Sequence, residues 1–75
     1  MVEVLLRVPR FSAATLGERI RRFRMEQGLY QTQLAELAGV VEMTIVNWEK
    51  DRTVPRGERL KGLAQVLGID ERQLV

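Results

Sequence analysis

The sequence predicts a single all-α domain, a compact bundle of short helices preceded by an arm. Three observations carry that expectation. The 75 residues suffice for one hydrophobic core and no second one. Apolar residues recur at helical spacing from residue 16 onward, and Gly28, Gly39 and Gly68 stand where the periodic runs stop. Only residues 2 to 8 alternate with period two, so no second strand is available to complete a sheet.

That first run sets Val2, Val4, Leu6 and Val8 on one side, Glu3 and Arg7 on the other, and ends at Pro9. A lone strand of this kind pairs with its copy in another subunit, packs irregularly or frays. Residues 1 to 14 are therefore read as an N-terminal arm with a strand signal at 2 to 8, and residues 15 to 75 as the folded domain.

At Thr15 the period changes. Thr15-Leu16-Gly17-Glu18 fits a capping box, in which the threonine hydroxyl accepts from an early helix amide. The first helix spans about 16 to 27, with Leu16, Ile20 and Phe23 as its core stripe and Gly28 as a left-handed stop. A second helix runs from about 31 to 38, with Leu34, Leu37 and Ala38 apolar and Ala35 small enough to admit a neighbouring helix. After the turn Gly39-Val40-Val41, a third spans about 42 to 50. It is expected to face inward with Val41, Ile45 and Trp48 and outward with Glu42, Met43, Val46, Asn47 and Lys50. Residues 51 to 55 form a loop. Leu60, Leu63, Ala64 and Leu67 mark a fourth helix from about 56 to 67, and Asp70 with Gln73 caps a last turn ending at Leu74.

Composition excludes most chemistry. There is no His, no Cys and a single serine, Ser12, so Ser/His triads, thiolate nucleophiles, imidazole acid/base work and His or Cys zinc sites are absent. No apolar run approaches the roughly 20 residues that cross a bilayer, and no glycine-rich phosphate loop follows a strand. The start of the chain does not read as a signal peptide, which sets an expectation of a cytoplasmic protein without cofactor, metal or membrane contact.

The net charge is only +2, but the charges are unevenly placed. Arg7, Arg10, Arg19, Arg21, Arg22 and Arg24 face a single acid, Glu18, within residues 7 to 24. Lys50, Arg52, Arg56, Arg59 and Lys61 outnumber Asp51 and Glu58 within residues 50 to 61. Between these blocks, residues 31 to 49 carry only Glu36, Glu42 and Glu49. Solvation of helix faces is the plain account of such charges. The helices supply a second one. Two short helices joined by a tight glycine turn, braced before and after, make a helix-turn-helix, whose second helix fits the major groove of DNA while basic flanks grip phosphates.

Residues 16 to 74 hold Leu16-Gly17-Glu18-Arg19-Ile20-Arg21-Arg22-Phe23-Arg24, Gly28-Leu29, Gln31-Thr32-Gln33-Leu34-Ala35 and Gly39-Val40. They continue with Thr44-Ile45, Trp48-Glu49, Pro55, Leu63-Ala64 and Leu67-Gly68-Ile69. In this order and spacing the chain resembles the phage repressor and Cro-type (Xre-type) helix-turn-helix domain over about four-fifths of its length. The resemblance implies a five-helix, all-α, lambda-repressor-like fold and a sequence-specific DNA-binding regulator of transcription.

Residue by residue, the resemblance implies an ion pair of Arg24 with Glu49 that ties the first helix to the third. Burial supports it, because a carboxylate beside the inward Trp48 needs a partner. Gln31 matches a glutamine that caps the second helix and meets a phosphate. Tyr30, Lys50, Arg52 and Arg56 match positions that touch the DNA backbone. Glu42, Met43, Thr44 and Asn47 fall where bases are read, and Asn47 is the strongest reader because its amide can pair with adenine N6 and N7. Glu42 needs a cytosine N4 to escape phosphate repulsion, Met43 a thymine methyl, and Thr44 can instead bond back within its helix.

The chain departs from the family at three places. Tyr30 and Val41 stand where a Ser or Thr usually caps helices two and three, and Asp51 stands where a glycine usually follows helix three. Aspartate can still enter the left-handed region. Double-stranded DNA and a second copy of the chain are the expected partners, with a toxin or other protein partner left open. The competing expectation is a protein-interaction module that presents Glu42, Met43 and Val46 to a partner.

Overall fold

The computed structural model describes residues 15 to 74, so the arm and its strand signal at 2 to 8 lie outside the described residues. The regular structure of the described residues is all helical: α1 Leu16–Glu26, α2 Gln31–Ala38, α3 Glu42–Glu49, α4 Glu58–Leu67, then a 3-10 turn at Glu71–Gln73. The fifth helix that the resemblance implies is thus a single turn. Asp70 caps it, accepting from the Arg72 amide at 2.8 Å while its own amide donates to Gln73 Oε1 at 3.0 Å. The Arg72 side chain and amide together hold the Asp70 carboxyl below its ordinary value.

Each of the four α-helices sends at least one side chain to a common centre, and Leu74 joins them from the end of the last turn. Ile20 from α1, Leu34 from α2, Ile45 from α3, Leu63 and Leu67 from α4, and Leu74 after the last turn are all fully buried. Ala35 and Ala64 are nearly so, and their small side chains let helix backbones approach. Leu16, Phe23, Leu29, Val40, Leu60, Val66 and Ile69 pack around this centre as a half-buried rim. Gln27 adds a polar tie from the end of α1, donating through Nε2 to the Leu67 carbonyl at 3.1 Å.

The structure departs from the sequence reading at three points. Val41, expected on the inner stripe of α3, is 69% exposed, because it occupies the extended residue before the first turn and not a helical position. Leu37 is 60% exposed: α2 buries the adjacent pair Leu34 and Ala35, which turns Leu37 outward. Finally α4 begins at Glu58 and not near residue 56, since Gly57 (φ 56°, ψ −128°) holds the preceding chain out of helical geometry.

The start of α1 is fixed from outside the helix. Thr15 Oγ1 accepts from the Glu18 amide at 3.1 Å, as a capping residue does, and also donates to Asp51 Oδ2 at 2.8 Å. Asp51 Oδ1 accepts from the Gly17 amide at 2.9 Å. Asp51 itself is left-handed, with φ 61°. One aspartate therefore reverses the chain after α3 and neutralises free amides at the positive end of α1. Gly17 is what permits the approach. A Cβ there would lie 2.5 Å from the Trp48 carbonyl oxygen and 2.6 Å from that of Glu49.

Gly17→Ala tests this junction, because helix propensity and packing predict opposite signs. Alanine should favour the helix by up to about 1 kcal/mol, whereas overpacking against backbone oxygens should cost about 1–3 kcal/mol. Net destabilisation in urea unfolding is the expected result.

Candidate nucleic-acid interface

The helix-turn-helix pair is locked from its inner side. Arg24 presents Nε to Glu49 Oε2 at 2.6 Å and Nη2 to Oε1 at 3.1 Å, a two-pronged contact between side chains only 11% and 4% exposed. Its remaining Nη1 donates to the Leu29 carbonyl at 2.8 Å. Gln31 Nε2 adds a further donor to Glu49 Oε1 at 3.1 Å. One buried carboxylate is thereby shared by α1 and α2, its own helix α3 is held against both, and Arg24 also ties down the turn after α1.

Gln31 therefore sits half-buried with its amide group turned to Glu49, as the first residue of α2 rather than its cap. The cap position is Tyr30, which makes no side-chain cap bond; instead Gln33 Oε1 accepts from the Tyr30 amide at 2.8 Å. Val41 likewise offers α3 no side-chain cap. Both helices start with amide groups that no cap residue has claimed, consistent with the missing hydroxyls in the sequence.

The outer side of α3 is open. Glu42 and Met43 are exposed, Met43 to 59%, while Thr44, Val46 and Asn47 are half-buried along the same helix. Tyr30, at the head of α2, is 75% exposed. Lys50, Arg52 and Arg56 are exposed in the segment that leaves α3, and buried Pro55 anchors that segment to the body of the domain. It is pinned at its start too. The Arg52 amide donates to the Asn47 carbonyl at 2.9 Å, and Arg52 Nη1 donates to Asn47 Oδ1 at 3.3 Å.

These positions give α3 a charge gradient. At its N-terminal end Glu42 and Glu36 line a hollow with Thr32, Ala35 and Val40, whereas three cations lie beyond its C-terminal end, where the helix dipole favours them. The sequence-predicted residues thus form two groups. Glu42, Met43, Thr44 and Asn47 lie on α3, and Lys50, Arg52 and Arg56 follow it in the exposed segment, with Tyr30 apart at the head of α2. Gln31 belongs with Arg24 and Glu49 on the inner side. Sequence reasoning missed two links: the Asn47–Arg52 contact and the bonds from Asp51 to α1. The second had a trace, since an aspartate stood where a glycine was expected.

Among the described residues no group of three His, Cys, Asp or Glu side chains is placed to hold a metal ion. No described helix is long and apolar enough to cross a membrane.

A family model described as helix-turn-helix matches residues 20 to 74. The repressor protein C2 of Salmonella phage P22 is 38% identical over 52 residues, which are 69% of this chain and 24% of that protein. The immunity repressor protein of Bacillus phage phi105 is 38% identical over 61 residues, 81% of this chain and 42% of that protein. This chain thus spans less than half the length of either. Among solved structures, the DNA-binding domain of the P22 C2 repressor in solution superposes with a TM-score of 0.79 at 34% identity, covering 83% of this chain and 82% of that one. The P22 c2 repressor crystallised with a synthetic operator gives the same TM-score and identity, covering 81% and 92%.

Removing one member of the inner ion pair leaves a buried charge. Arg24→Met should cost about 3–5 kcal/mol of unfolding free energy, and adding Glu49→Leu should restore much of it because both charges are then gone. Urea denaturation of the single and double variants measures the difference.

Proposed function

Since the chain belongs to the helix-turn-helix family of phage-repressor (Xre) type, we propose that it is a cytoplasmic transcriptional regulator that binds double-stranded DNA sequence-specifically. One observation carries this reading: α3 presents exposed Glu42 and Met43 and half-buried Thr44 and Asn47 on its outer side, its inner side is locked by Arg24 and Glu49, and exposed cations follow its end. A helix presented that way can enter a major groove without rearrangement. The relative of similar fold crystallised with an operator supports DNA as the partner.

In this arrangement Glu42, Met43, Thr44 and Asn47 face base edges. Met43 meets a thymine methyl, Glu42 accepts from a cytosine N4, and the Asn47 amide hydrogen-bonds in the groove. Lys50, Arg52 and Arg56 grip phosphates on one side of α3. Tyr30 and the uncapped amides at the head of α2 do so on the other, with Gln31 contributing through its backbone. The inner pair of Arg24 and Glu49 makes no DNA contact and sets the angle at which α3 is offered.

A single module of this kind offers about 600–1,000 Å² to DNA, which is small for tight specific binding. The functional unit is a homodimer reading an inverted repeat, with the two α3 helices in successive major grooves about 34–36 Å apart. Selection of bound sequences from a random duplex pool tests all of this at once, and an enriched inverted repeat is expected. A chain that enriches no sequence, and binds no duplex at low salt, would instead be the protein-interaction module, to which the exposed Val41 and Met43 lend some support.

Two measurements probe the proposed contacts. Three cations per chain give a dimer about six phosphate contacts, so affinity should fall roughly a thousandfold between about 50 and 200 mM salt. Asn47→Ala should relax preference at one base position, whereas Arg56→Ala should weaken all sequences alike and flatten the salt dependence, as competitive band-shift titrations would report.

A further inference from the structure

We infer that Arg52 is a positioning residue for Asn47, turning its side-chain amide into a donor toward the groove and selecting guanine, not adenine, as its base. This deepens the reading of α3 as the base-reading helix and rests on it.

Arg52 meets Asn47 twice, through its amide to the Asn47 carbonyl at 2.9 Å and through Nη1 to Oδ1 at 3.3 Å. The backbone contact fixes where the side chain of Arg52 begins. The preceding residue, Asp51, reinforces this, since its left-handed conformation turns the chain and its carboxylate is held by Thr15 and Gly17. Chemistry settles which end of the amide faces the guanidinium. Arginine has donors only, so Nδ2 in that place would set donor against donor, and the oxygen must take it. Nδ2 then lies on the side of the planar amide away from Arg52.

The consequence concerns base identity. Adenine offers N7 as an acceptor and N6 as a donor, and an asparagine that pairs with both needs its oxygen turned to N6. Here one lone pair of that oxygen already accepts from Arg52, which leaves only the second for N6, beside a guanidinium whose own donors oppose that amino group. Guanine offers N7 and O6, both acceptors, and an outward Nδ2 backed by the remaining N–H groups of Arg52 suits that edge. Cytosine N4, a donor, is disfavoured for the same reason as adenine N6. The guanidinium keeps enough free donors to hold a phosphate as well, so the two roles of Arg52 are compatible.

The test applies random-duplex selection, followed by competition titrations, to the full chain and its Asn47→Ala, Arg52→Lys and Arg52→Met variants, with circular dichroism confirming that each is folded. The base position whose preference disappears in Asn47→Ala identifies the Asn47 contact. At that position the unaltered chain should favour guanine over adenine by about tenfold. Arg52→Met should lose that preference while selection at the other positions persists, and Arg52→Lys should retain part of it, because an ammonium also donates to the amide oxygen. Adenine at the Asn47 position in the unaltered chain overturns the inference. So does an Arg52→Met variant that binds all sequences more weakly with its base pattern intact, for Arg52 would then be a phosphate grip alone. A folded chain that binds no duplex at about 50 mM salt removes the reading of α3 itself, and the inference with it.

Discussion

The buried carboxylate of Glu49 governs the geometry of this domain. A charge taken out of water is costly unless its partners are complete, and Glu49 is completed by Arg24 through both oxygens and by Gln31 through one. Those donors come from α1 and α2, while Glu49 closes α3. The carboxylate is satisfied in only one mutual placement of the three helices. Apolar packing around Ile20, Leu34 and Ile45 is less particular about angle, so the core supplies cohesion and the ion pair supplies direction. Direction is what the proposed entry of α3 into a groove needs.

A second junction acts on the opposite end of α1. The approach of Gly17 to the last carbonyls of α3 brings the positive start of one helix to the negative end of another. Asp51 joins the same place from the loop, accepting from the Gly17 amide and the Thr15 hydroxyl. The loop that leaves α3 is consequently not free to wander. Its direction, set at Asp51 and again where Arg52 meets Asn47, holds Arg52 beside α3. Stability and site geometry share these contacts.

The helices α2 and α3 are eight residues each, well below the length at which an isolated helix holds in water, and neither has a side-chain cap. Tertiary contacts sustain them: Leu34 and Ala35 bury one side of α2, and Ile45, Trp48 and Glu49 one side of α3. A hydroxyl cap at Tyr30 or Val41 would add stability of about 0.5–2 kcal/mol per helix. Without it, the terminal amides at both helix starts stay available to an external acceptor, the property on which a phosphate contact depends.

The sequence by itself determined the helices, their order and their stops, because periodicity and left-handed glycines are local properties. Gly28, Gly39 and Gly68 end their helices with φ near 70°, and the fully buried residues Ile20, Leu34, Ile45, Leu63, Leu67 and Leu74 all lie in periodic runs or at the closing turn. The candidate residues around α3 were proposed through family resemblance more than through spacing. Only the tertiary structure decided how those residues are used. Gln31 turned inward because a buried carboxylate within reach outcompetes solvent for its donors. Leu37 turned outward because α2 buries the adjacent pair Leu34 and Ala35, and Val41 because it holds the extended position before the first turn of α3. Asp51 and Arg52 found their partners in Gly17, Thr15 and Asn47 across a bend and a packed interface, where spacing along the chain carries no information about distance in space.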